Sequence, residues 1–187
     1  MSHADALRSI LQARALEQAD AGKVVLKERR EQHGTPQTFT LLIGESELTA
    51  VRMDKFSHSS MLDGGWKVCD YALFRERKDR AASDVILIEL KKSKSNDSSS
   101  SEQLRQSVPI LEYLDGLARA VASPDDDPAE SSPRDVHYVV LYERHAPLLD
   151  KQVTHAASIT ATGHMSYRGM NIHWRIGRHA RLSDLIV

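Results

Sequence analysis

The most pronounced pattern in the chain is an aliphatic run, Val85 to Ile88, that passes without a turn residue into Glu89, Leu90, Lys91 and Lys92. Continuous β-branched and aliphatic residues predict a central strand covered on both faces, and a carboxylate directly after them needs a compensating cation. A second regular pattern is the spacing of three and four joining Leu104, Val108, Leu111, Leu114, Leu117 and Val121. It predicts an amphipathic helix from about Ser100, with a kink, or a start nearer Ser107, imposed by Pro109.

Other segments follow from the same reasoning. Leu7, Ile10, Leu11 and Ala21 share a helical stripe with Ala15 at its margin, predicting a helix over 4–21 stopped by Gly22. Arg14 and Gln18 interrupt that stripe, and Glu17 falls at its edge. "KVVLKERRE" and "TFTLLIG", separated by "QHGTPQ", predict a hairpin with a long loop. Residues 45–65 show weak periodicity and predict a short helix or irregular segment ending at Gly64 and Gly65. "WKVCDYALFRE" alternates, so that Trp66, Val68, Asp70 and Ala72 face one way and Lys67, Cys69, Tyr71 and Leu73 the other. With the aliphatic strand it predicts a second hairpin. "VHYVVLYER" and "GMNIHWRIG" predict two more strands, and "RLSDLIV" a short terminal helix. A helix between two buried strands requires a crossover, so part of the sheet is parallel and the class is α/β.

Length and composition narrow the picture. The chain has 187 residues, 41% hydrophobic and 27% charged, which fits one domain over 1–187 with a flexible acidic loop at about 123–133. No stretch approaches the ~20 apolar residues of a membrane span, and the N-terminal segment lacks the apolar centre of a secretory signal, so a cytoplasmic location is expected. Cys69 is the one cysteine, which excludes an internal disulfide and any multi-cysteine zinc site. A small core residue is its expected role. The net charge of −1 argues against nucleic-acid binding by overall charge, yet basic residues cluster at 75–80, at 91–94 and among Arg168, Arg175, Arg178 and Arg181. Nine histidines form no H-x-x-x-H or H-x-H pair, and His137 and His173, both in predicted strands, are expected to be hydrogen-bonded core imidazoles. No phosphate-binding glycine loop is present.

The candidate chemistry lies where the aliphatic strand ends. Glu89 and Lys91 share a face about 6.6 Å apart along the strand. A neighbouring strand carrying Asp70 brings a second carboxylate to the same end of the sheet. Two carboxylates and the Leu90 main-chain carbonyl suit a hard divalent cation such as Mg²⁺, with Mn²⁺ as a substitute. Lys91 then sits where an ammonium can orient water and offset charge on a phosphoryl oxygen.

Asp70 followed 19 positions later by Glu89-Leu90-Lys91 resembles the active-site motif of the PD-(D/E)xK, or restriction-endonuclease-like, nuclease superfamily. The resemblance implies a central mixed β-sheet flanked by helices, Asp70 and Glu89 as metal ligands, and Lys91 as the catalytic lysine assisting the attacking water. Many members add a glutamate from a helix before the core strands, where Glu17 stands, and some a glutamine in the following helix, for which Gln103 and Gln106 are candidates. The implied function is Mg²⁺-dependent hydrolysis of phosphodiester bonds in nucleic acid, DNA before RNA. With no recognition module visible, a homodimer or a subunit of a larger complex is expected. The rival reading is a catalytically inactive nuclease-like fold used for binding or assembly, with Glu89 and Lys91 an ordinary ion pair.

Overall fold

The structure, a computed structural model, describes residues 2–28, 37–44, 47–56, 67–76, 83–93, 98–122, 134–144 and 161–186. In chain order the elements are α1 (His3–Ile10), β1 (Leu16–Glu17), β2 (Ala19–Asp20), β3 (Lys23–Glu28), β4 (Gln37–Leu42), β5 (Leu48–Arg52), β6 (Tyr71–Glu76), β7 (Ser83–Ser93), α2 (Ser99–Ala122), β8 (Arg134–Arg144), β9 (Ala161–Tyr167), β10 (Met170–Ile176) and β11 (His179–Arg181). They build a mixed α/β fold with two mixed sheets. The larger has the order β1-β5-β6-β7-β8-β10-β9 and the smaller β11-β4-β3-β2. No helix among the described residues is long and apolar enough to cross a membrane.

The aliphatic run places β7 at the centre of the larger sheet. Val85 and Leu87 enter a core shared with α1 and α2, while Ile86, Ile88 and Leu90 enter a second core lined by Val24, Leu26, Phe39 and Leu41 of the smaller sheet. Both faces are therefore covered, as the unbroken apolar sequence requires. β7 runs antiparallel to β6 and parallel to β8, with α2 as the crossover between the parallel pair. The β3–β4 pairing is likewise antiparallel, so both expected hairpin pairings are present.

α2 runs unbroken through Pro109. The residue is exposed, and the helix continues without a break although the Arg105 carbonyl lacks its i+4 N–H partner there. Other expectations are corrected. The helix expected over 4–21 ends at Ile10, and Leu16 and Glu17 instead add a short strand to the edge of β5. β5, which lies in the segment read as helical or irregular, is buried at all five positions. The "RLSDLIV" segment holds a single 3₁₀ turn, Leu182–Asp184, after β11 pairs in parallel with β4. β9, a strand beyond those expected, carries Gly163 opposite Trp174, where an added Cβ would lie 2.4 Å from the indole ring. The acidic loop at about 123–133 lies outside the described residues.

Candidate functional site

The site forms where β7 outruns β6. Their pairing ends at Tyr71 opposite Ile88, whereas β7 continues beside β8 through Lys91. Past Ile88 the exposed edge of β7 is taken up by a side chain, because the Leu90 N–H donates to Asp70 Oδ2 at 2.8 Å. N–H and C=O of one strand residue leave on the same side, so the Leu90 carbonyl leaves β7 on the side of that bond. The Asp70 carboxylate and this main-chain oxygen thus lie on one side of β7, at the residue next to Glu89.

Asp70 is positioned by its flanks. Its carbonyl accepts from Met53 N–H at 2.9 Å, and the preceding Cys69 N–H donates to Ser107 Oγ of α2 at 2.8 Å. These bonds hold residues 67–70 off the regular strand, which begins at Tyr71, so the strict alternation expected for this segment fails. Cys69 packs with Val68 and Ala72 in the helix-facing core. Burial pushes its thiol far above the ordinary range, which keeps it protonated and inert.

Glu89 is 2% exposed and lies on the face of β7 that carries Val85 and Leu87, toward α2. Lys91 Nζ stands 2.7 Å from Glu89 Oε1 and donates to Gln103 Oε1 of α2 at 3.1 Å. The lysine is thereby suspended between a strand carboxylate and a helix amide, with its side chain partly open to solvent. Gln106 does different work: its Oε1 accepts from Lys67 N–H at 3.1 Å, and its amide nitrogen bonds Glu102. It tethers the segment leading into Asp70.

Glu17 is not brought to this group. It pairs in register with Ala50, which faces the second core, so the sheet separates it from Glu89. There it meets Arg52 at 3.8 Å and the Tyr71 hydroxyl at 3.4 Å. The helix that would have delivered it ends seven residues earlier, at Ile10.

The donor set fits a hard divalent ion: two carboxylates and a carbonyl, all oxygen, with waters completing the shell. Among the described residues no three His, Cys, Asp or Glu side chains gather into a metal-ligating cluster. No family model, curated protein or solved structure matches this chain.

Proposed function

We propose that this protein is a metal-dependent nuclease of the restriction-endonuclease-like type, hydrolysing phosphodiester bonds in nucleic acid, with DNA the first substrate to test. The observation that carries this reading is the bond from Leu90 N–H to Asp70 Oδ2. It locks a carboxylate from outside the strand against the main chain between Glu89 and Lys91, the arrangement that a motif of Asp followed by Glu-x-Lys would need. The order of helix, antiparallel strands, crossover helix and parallel strand supports the same reading.

In this reading Asp70, Glu89 and the Leu90 carbonyl would hold Mg²⁺ or Mn²⁺. Such an ion polarises a phosphoryl oxygen and lowers the pKa of a bound water. Glu89 and Gln103 fix the position of the Lys91 ammonium. From there it orients the attacking water and offsets negative charge as it grows on the phosphoryl oxygens. Attack forms a new P–O bond as the water gives up a proton to solvent, and the P–O bond to the strand's leaving oxygen breaks, that oxygen departing with a proton taken from solvent. A single such site cuts one strand at a time, so we propose that the protein acts as a homodimer or within a larger assembly.

One contact favours the inactive alternative. At 2.7 Å the Lys91–Glu89 pair already neutralises a carboxylate within the chain, as an ion pair in a binding or assembly subunit would. Titration calorimetry with Mn²⁺, run beside cleavage of plasmid, linear DNA and RNA, separates the two. A nuclease binds the ion and cuts; Glu89→Ala loses both. Cleavage that persists in EDTA, or wild-type protein that ignores Mn²⁺, rejects the proposal.

A further inference from the structure

The far edge of the larger sheet carries a second group of potential ligands, on the face opposite Glu89. β9 and β10 form a hairpin closed by Arg168 and Gly169, both at positive φ (47° and 84°), as a tight two-residue turn requires. Its register sets His164 directly opposite His173. Ala161, Met165 and Tyr167 of β9 pack toward the helix-facing core, so by the strand's alternation His164 lies on the other face. The two imidazole centroids are 4.8 Å apart, with ring planes inclined at 57°.

His164 is exposed, whereas His173 is only 9% exposed and neither of its ring nitrogens has a hydrogen-bonding partner among the described residues. The expectation of a hydrogen-bonded core imidazole is therefore not met at this position. A neutral imidazole offers one donor and one acceptor, and each left buried without a partner costs on the order of 1–3 kcal/mol. His137, the other histidine expected to be a core imidazole, does have a partner, the buried Asp84 at 3.4 Å.

Two features make the pair suitable for a metal. Imidazole nitrogens bound at about 2.0–2.1 Å to one ion, with an angle between right and tetrahedral, place their ring centroids roughly 4.5–5.2 Å apart. The observed separation falls in that interval. Neither ring nitrogen of His173 is spent on another partner among the described residues, and the charge of the neighbouring Arg175 is offset by Asp184, 2.9 Å away.

We infer that His164 and His173 form a two-imidazole binding site for a borderline transition-metal cation of the Zn²⁺, Ni²⁺ or Cu²⁺ class, its remaining positions filled by water or by a ligand from outside the chain. Imidazole nitrogen selects these ions over Mg²⁺, which takes oxygen. The chain would then carry two cation sites of opposite preference on opposite faces of one sheet. This inference does not depend on the nuclease reading.

The test uses tag-free full-length protein in excess Mg²⁺, which occupies oxygen-donor sites, titrated with Zn²⁺ by calorimetry. His164→Ala is the main variant, because its side chain is exposed and its loss leaves the core intact. Zn²⁺ affinity should fall in this variant by more than about 100-fold, beyond the loss of an outer-shell partner, while Glu89→Gln should bind Zn²⁺ as the wild type does. Bound Cu²⁺ should show electron-spin coupling to two imidazole nitrogens in the wild type and not in His164→Ala. Identical Zn²⁺ titrations of wild type and His164→Ala would overturn the inference. So would His173→Leu raising the melting temperature of a protein whose wild type does not respond to Zn²⁺.

Discussion

Two carboxylates lie almost fully buried toward opposite ends of the helix-facing core, Glu89 at 2% exposure and Asp115 at 1%. Asp115, on α2, is shared among His3 of α1 at 2.7 Å, Arg119 one turn along α2, and Arg134 at the start of β8. Three elements are fastened through one side chain. Glu89 meets Lys91 from its own strand, the lysine reaches Gln103 of α2, and Asp70 bonds the main chain of the residue between Glu89 and Lys91. The partners of Asp115 come from α1, α2 and β8, whereas Glu89 takes its ion-pair partner from its own strand. A carboxylate shared by partners from several elements acts as a structural latch. At the end of β7, in the proposed reading, the carboxylates would instead hold a divalent cation, and that difference in partners separates the two ends more sharply than burial does.

Asp115→Ala should have the largest effect. It strips the shared carboxylate from Arg134, whose burial pulls its guanidinium down to about 10 and still leaves it charged at neutral pH. A loss of ~3–5 kcal/mol in urea unfolding is expected. Glu89→Gln should do the opposite of this and leave stability unchanged or raised, since Lys91 is partly open to solvent and carboxylates held close together at functional sites strain the fold. Equal destabilisation by the two changes would erase the distinction between latch and site.

Lys91→Ala comes next. It should keep most Mn²⁺ affinity while cleavage drops by roughly 10²-fold, the scale of one transition-state electrostatic contact. A Lys91→Ala protein as active as wild type in a cleavage time course would reduce the β7 end to an ion pair.

Acid sharpens the comparison from the latch side. Burial first, then Arg134, hold His3 down to about 4 from its ordinary 6.5, although the Asp115 contact alone would favour protonation. The two arginines already balance that carboxylate, so His3 serves as a neutral donor. The unfolded chain therefore binds the extra proton between these values, and stability falls as pH drops from about 6.5 toward 4. His3→Gln, which cannot take up that proton, should show a shallower loss over the same window in pH-dependent thermal unfolding.

The smallest effect belongs to Gln103→Ala. It frees Lys91 from α2 while leaving its pairing with Glu89, so cleavage should fall by less than in Lys91→Ala, with Mn²⁺ affinity unchanged in calorimetry. A loss of Mn²⁺ affinity would mean that Gln103 acts on the ion rather than through the lysine.

Much of this was legible in the chain because it depends on local pattern. The aliphatic run at 85–88, the spacing from Leu104 onward and the two-residue offset of Glu89 and Lys91 each report a period that one strand or helix imposes by itself. Interrupted patterns carry less. The stripe over 4–21 contained Arg14 and Gln18, and residues beyond Ile10 went where an edge of β5 offered hydrogen bonds. Residues 48–52 carry no alternation because both of their faces are buried.

By itself, then, the sequence determined which segments are strands or helices where one apolar face dominates, that β7 is central, and that Glu89 and Lys91 share a side. Tertiary structure alone decided everything that joins residues distant in the chain. It placed Asp70 Oδ2 on the Leu90 amide, Gln103 rather than Gln106 on Lys91, and Glu17 behind the sheet, and it set His164 opposite His173. Each of these depends on register between separate elements. A one-residue slip exchanges the two faces of a strand, and the burial that forbids the slip exists only once the elements have packed.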